Sequence, residues 1–122
     1  GYASADLARF PDEIVHGPAA AVRLRAEGVD DEDFLRAVAY HTIGHPALGP
    51  LGRALYAADF LEPGRTFRRK WRRSLRKRMP KDAGAVVREV ARAKIGNLLD
   101  GFQSLPEETF VFWNVLVKEI NA

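Results

Sequence analysis

Apolar residues recur along this chain at spacings of three and four, and no segment alternates apolar with polar residues for more than a few positions. That period belongs to amphipathic helices, so the pattern predicts an all-α fold. After a first turn near Ser4 to Phe10, Pro18 reads as the opening position of a helix that runs through Val22 and Leu24 and ends at Gly28. Asp30 and Asp33 supply the acidic start of a second helix, with Phe34, Leu35, Val38 and Ala39 inward and an end near Thr42, before Gly44 and Pro46. A third begins around Pro50 and carries Leu51, Leu55, Ala58 and Phe60 to the break at Pro63 and Gly64. Phe67, Trp71 and Leu75 recur every four residues in the next segment, an amphipathic helix stopped by Pro80. A longer helix from about Asp82 to Phe102 turns Val86, Val90 and Ile95 inward. Ser104, Pro106 and Glu107 then signal the start of the run from Phe110 to Ile120.

Composition narrows the class. At 122 residues, with 47% hydrophobic and 29% charged, the chain is expected to form one globular domain over residues 1–122. It has no cysteine, so neither a disulfide framework nor a thiolate metal site is available, and a cytoplasmic setting is expected. Its apolar runs are too short to span a bilayer, and Gly1 to Phe10 has no signal-peptide pattern. Charge is concentrated: of the 19 Lys and Arg, nine fall between Arg65 and Arg78, a stretch with no acid. Such a helix suits nucleic-acid phosphates, with Trp71 available for stacking, or else forms a solvated face behind a core stripe.

Three polar residues stand out. Asp59 sits among apolar neighbours in Ala54-Leu-Tyr-Ala-Ala-Asp-Phe-Leu61, where a bare carboxylate is costly to bury; it calls for a partner, such as a nearby Arg53, or a ligand. His41 falls at a helix end and His16 at a helix entrance. Two imidazoles and a carboxylate can converge on a divalent cation, although a helix-end His is equally a dipole contact and His16 before Gly17-Pro18 equally a turn residue.

The surroundings of these residues carry a resemblance. His16-Gly-Pro, Tyr40-His-Thr with Gly44 and Pro46 following, Ala58-Asp with Glu62-Pro-Gly-Arg65, and the closing Leu105-Pro with Thr109 and Trp113-Asn-Val-Leu-Val117 occur in one order. Together they resemble the YqeK-like HD-domain bis(5′-nucleosyl)-tetraphosphatases, over most of the chain and most weakly between Arg68 and Gly101. The resemblance implies an HD-domain-like helical bundle with a two-metal centre, iron in general and manganese as the alternative, that hydrolyses diadenosine tetraphosphate symmetrically to ADP. By position it implies that His16 and His41 are ligands of one metal and that Asp59 closes the shell of the other. Arg65 and Thr42 would face the nucleotide; His45 stands where such proteins often carry Arg before the Pro, and faces either the phosphates or the solvent. The family's first His and its adjacent His-Asp pair have no counterpart here, since His16, His41 and His45 are the only histidines. The expectation is therefore a partial domain whose N-terminal helices and catalytic His-Asp pair precede Gly1, weakly active alone and open to homodimerisation through the groove they would leave. The second reading is a catalytically degenerate HD-like module that binds nucleotide or nucleic acid through the basic helix 65–78.

Overall fold

The computed structural model describes residues 16–64 and 67–121, and within them the chain is helical throughout, with no strand. The first turn expected near Ser4 to Phe10 lies outside the described residues, as does Arg65. Six helices follow in order: α1 His16–Ala26, α2 Glu32–Tyr40, α3 Pro50–Phe60, α4 Arg69–Arg78, α5 Ala83–Asp100 and α6 Glu107–Ile120. Among these helices none is long and apolar enough to cross a membrane.

Local chemistry accounts for most of the ends. The α1 terminus is a Schellman motif: Gly28 takes φ +103°, its N–H donates to Arg25 O, and the Val29 N–H donates to Leu24 O at 3.0 Å. Leu24 and Val29 both pack on the core, the apolar contact that accompanies this motif. Asp31, rather than Asp30, caps α2 by accepting the Phe34 N–H at 3.1 Å, and Glu32 and Asp33 favour the positive end of the helix dipole. Pro50 opens α3. Pro106, not Ser104, is the cap residue of α6, with Glu107 and Glu108 in its first turn.

Each of α1, α3 and α5 meets a neighbour in sequence, and α5 also crosses back onto α3, so that one apolar cluster unites the helices. Its centre is Leu35 and Ala39 of α2, Tyr56, Ala57 and Phe60 of α3, Val86, Val87 and Val90 of α5, and Phe112 and Leu116 of α6. The Tyr56 and Phe112 rings meet edge to face at 5.2 Å. Burial pushes the Tyr56 phenol above its ordinary pKa, because the phenolate would lose its hydration there. On the rim, Arg53 of α3 grips Glu119 of α6 through two hydrogen bonds of 2.8 and 2.7 Å, and this guanidinium holds the Glu119 carboxyl below the usual carboxylate range.

Several apolar side chains of these helices turn away from the core. In α3 the buried positions are Gly52, Tyr56, Ala57 and Phe60, while Leu51 and Leu55 are 56% and 37% exposed and Ala58 is exposed. A Cβ at Gly52 would stand 2.5 Å from Leu48 Cδ2, so the small residue marks the packed face and rotates the two leucines outward. Phe34 and Phe110 are likewise exposed. The largest correction concerns α4: Phe67 precedes the helix and is exposed, and Arg72, expected on the solvated face, is 0% exposed.

Arg72 tolerates burial because the chain surrounds it with acceptors and rings. Its Nε donates to Phe67 O at 2.9 Å and its Nη1 to Phe60 O, while its guanidinium carbon lies 4.5 Å from the Phe60 ring centre and 4.0 Å from that of Phe67. One turn on, Arg76 donates to Leu61 O at 2.9 Å. Two guanidinium groups therefore satisfy terminal carbonyls of α3 and face the negative end of its dipole.

Candidate functional site

His16 and His41 both lie at the α1–α2 junction. His41 is the C-cap of α2 and is half-buried, with Nδ1 2.6 Å from Val38 O. A carbonyl only accepts, so Nδ1 carries the proton, and in the neutral ring Nε2 keeps its lone pair. The same backbone segment meets the start of α1. A Cβ at Gly17 would lie 2.5 Å from Ala39 O and 2.8 Å from Val38 O, so only glycine lets the first turn of α1 rest on the last turn of α2. His16, the residue before Gly17 and exposed, is thereby placed beside the helix end that carries His41.

Downstream of His41 the loop is held from two directions. Gly44 adopts φ +82°, donates to Tyr40 O at 2.8 Å, and presses on Phe112, whose Cδ2 would be 2.4 Å from an added Cβ. From α6, the buried Thr109 hydroxyl donates to Ile43 O at 2.7 Å. Thr109→Val should lower stability by about 1–2 kcal/mol, since the methyl keeps the volume and leaves a buried carbonyl unsatisfied. Urea denaturation checks this: a midpoint equal to that of the parent would mean that water replaces the hydroxyl. His45 is half-buried in the same loop, its ring 4.5 Å from that of Tyr40, and its Nδ1 accepts the Ala47 N–H at 3.0 Å. Its tautomer is thus opposite to that of His41, with Nε2–H the donor. Thr42, half-buried, lies between the two.

Asp59 is the penultimate residue of α3, half-buried between exposed Ala58 and buried Phe60. Arg53, weighed above as its counterion, binds Glu119 instead. The carbonyls of Phe60 and Leu61, directly after Asp59, are those bound by Arg72 and Arg76, so the backbone that carries the carboxylate is clamped. Glu62 Oε1 accepts the Gly64 N–H at 2.8 Å and shapes the turn leading to Arg65.

Among the described residues no three His, Asp or Glu side chains come together as a cluster able to hold a metal. The donor chemistry nonetheless fits in part: His41 offers a neutral nitrogen whose other ring nitrogen is anchored on a carbonyl, the arrangement that orients metal-bound imidazoles. His16 shares its neighbourhood, and Asp59 stands on a separate helix end. Sequence reasoning missed Gly17, Arg72 and Arg76. The only signal for the arginines was an i,i+4 spacing beneath a helix C-terminus, which surface cations share.

No family model matches the chain. Three curated proteins named bis(5′-nucleosyl)-tetraphosphatase, symmetrical, do: those of Halalkalibacterium halodurans, 40% identical over 63 residues, Staphylococcus aureus, 40% over 62, and Bacillus subtilis, 45% over 56. The matched segment is about half of this chain, 51%, 50% and 45% respectively, and spans about a third of the relatives' own length, 34%, 32% and 30%. Among solved structures, one described as a predicted HD superfamily hydrolase involved in NAD metabolism from Clostridium acetobutylicum superposes with a TM-score of 0.77 at 30% identity. It covers 91% of this chain and 61% of that one. In sequence the chain is thus similar to symmetrical bis(5′-nucleosyl)-tetraphosphatases of the YqeK-like kind over about a third of their length, and in helical order and fold it matches an HD superfamily hydrolase.

Proposed function

We propose that this chain contributes His16, His41 and Asp59 to the divalent-metal centre of a phosphohydrolase that cleaves dinucleoside polyphosphates, diadenosine tetraphosphate symmetrically to ADP. The observation that carries the reading is the His41 Nδ1 contact with Val38 O, which leaves Nε2 as a ready ligand where Gly17 lets His16 approach. The names of the curated relatives support the substrate class. A divalent metal pair, iron or manganese, supplies an acidified water and neutralises phosphoryl charge when bound.

The chain's own residues then divide the remaining tasks. His41 binds through a nitrogen of fixed orientation, and Asp59 adds negative charge from a backbone that Arg72 and Arg76 hold still. His45, whose Nδ1 accepts the Ala47 N–H, and Thr42 of the same loop are assigned to the nucleotide by their place after His41. Arg65 is assigned to the polyphosphate by its place in Glu62-Pro-Gly-Arg65, where a guanidinium fork suits phosphate oxygens.

The test is metal content of the natural gene product, purified under reducing conditions. His41→Ala and Asp59→Ala should each weaken metal affinity beyond the roughly 10–100-fold typical of losing an outer-shell partner, and release of ADP from diadenosine tetraphosphate should fall with it. Unchanged metal stoichiometry in both variants would remove the ligand assignment. A parent protein that carries metal but releases no ADP would remove the substrate.

A further inference from the structure

The hydrolase reading leaves the exposed cations of the basic helix unused, and the fold separates the helix's cations into two groups. Arg72 and Arg76 are consumed by α3 carbonyls and Arg78 pairs with Asp82 at 3.1 Å. Arg69, Lys70, Arg73 and Lys77 are all exposed, and no ion pair joins any of them to an acid among the described residues. At 100° per residue these four lie within an arc of about 100°, and Arg69, Arg73 and Lys77 form a row with steps of about 6 Å. Like charges at i,i+4 repel and cations in a first turn oppose the helix dipole, yet α4 has no acid in its first turn. An isolated helix gains nothing from this arrangement; a polyanion laid along it does.

A groove of about 410 Å³ opens between α4 and α5, and its α4 wall, Arg68 and Trp71, brackets Arg69 and Lys70 in the chain. The Arg68 guanidinium carbon lies 4.0 Å from the Trp71 ring centre and presents a flat cation of the kind on which bases stack. From α5 the groove is lined by the small Ala93 and Gly96, where a Cβ on the glycine would meet nothing within 4 Å, by Asn97, and by Glu89, Arg92 and Asp100. The amide and the two carboxylates suit the edge and exocyclic amine of a base, and they place the phosphates outside the groove, on the α4 row. We propose that this face binds single-stranded nucleic acid, with phosphates along Arg69, Arg73 and Lys77 and a base in the groove beside Arg68 and Trp71. A lipid surface is the poorer match. Within α4 the exposed residues are Arg69, Lys70, Arg73, Ser74, Lys77 and Arg78, while the apolar Leu75 is turned into the core, so this helix has no apolar face of its own to enter a bilayer.

The experiment is fluorescence anisotropy of the chain with a labelled single-stranded oligonucleotide of twelve residues across a KCl series in EDTA. The chelator keeps any metal-dependent hydrolysis out of the readout, so this proposal and the hydrolase reading fail separately. Phosphate contacts from the row Arg69, Arg73 and Lys77 and from the adjoining Lys70 predict a slope of log affinity on log salt of about −3, and Arg69→Gln/Arg73→Gln/Lys77→Gln, which leaves Lys70, should reduce it to about −1. That variant should keep the parent's urea midpoint, because its three positions are exposed. Gly96→Leu, which fills the groove without entering the core, should weaken binding roughly tenfold, as expected for losing one stacked base. Absence of salt-dependent binding at low salt, an unchanged slope in the triple variant, or unchanged affinity in Gly96→Leu would overturn the proposal. So would binding to phosphatidylserine vesicles, or to a duplex of the same length, more than tenfold tighter than to the single strand.

Discussion

Arg72→Met is expected to lower the stability of this fold by about 2–4 kcal/mol. Two opposing effects set that figure. Burying a guanidinium costs several kcal/mol of desolvation, and a methionine of similar length removes that cost together with the charge. Against this, the variant leaves Phe60 O and Phe67 O without their donor and removes two ring contacts at 4.5 and 4.0 Å. Charge-assisted hydrogen bonds contribute about 1.5–3 kcal/mol each and cation–π contacts at desolvated sites about 2, so the losses outweigh the relief. Arg72→Lys should not rescue the fold, since an ammonium lacks the planar fork that reaches one carbonyl before α4 and another at the end of α3. Urea denaturation of both variants decides the matter. A methionine variant as stable as the parent would show that water satisfies the two carbonyls and that Arg72 is a tolerated burial rather than a clamp.

Gly17→Ala should be comparably severe, at about 3 kcal/mol, for a steric reason. The added methyl would stand 2.5 Å from Ala39 O, 2.8 Å from Val38 O and 3.1 Å from Ala39 C, all of them backbone atoms that cannot swing aside. The remaining route is separation of α1 from the end of α2, which withdraws His16 from His41. Metal affinity of the natural gene product should therefore fall along with the melting temperature. Gly96→Ala is the contrasting case: nothing lies within 4 Å of its Cβ in the middle of α5, and replacing a helical glycine by alanine should stabilise by about 0.5–1 kcal/mol. Equal effects at the two positions would show that helix propensity, not the α1–α2 contact, governs Gly17.

The two predictions share a feature. Each concerns a residue that holds backbone next to a proposed ligand, Arg72 beyond Asp59 and Gly17 beside His41, and neither residue needs to touch metal or substrate. Precision at the site thus rests on contacts between elements distant in the chain, as the 2.7 Å bond from Thr109 to Ile43 O also illustrates.

Helix number, order and approximate ends were legible in the residues, because caps and stops are local chemistry. Gly28 ends α1, an aspartate opens α2, Pro50 opens α3 and Pro106 stands at the head of α6, each through its own backbone preference. The kinship was legible as well, through the ordered neighbourhoods of His16, His41 and Asp59. Faces were not. The apolar residues Leu51, Leu55, Ala58 and Phe60 did not by themselves say which side of α3 meets the core; close packing of Gly52 on Leu48 selected the stripe of Tyr56 and Phe60, and a one-residue change of phase rotates a helix by about 100°. Arg72 looked like any other surface cation, because whether a guanidinium can be buried depends on acceptors and rings supplied by residues 60 and 67 once folded. Local sequence therefore determined where the helices are and which side chains are chemically equipped to bind. Tertiary packing alone decided which atoms meet, since burial and approach are properties of pairs of elements rather than of any one segment.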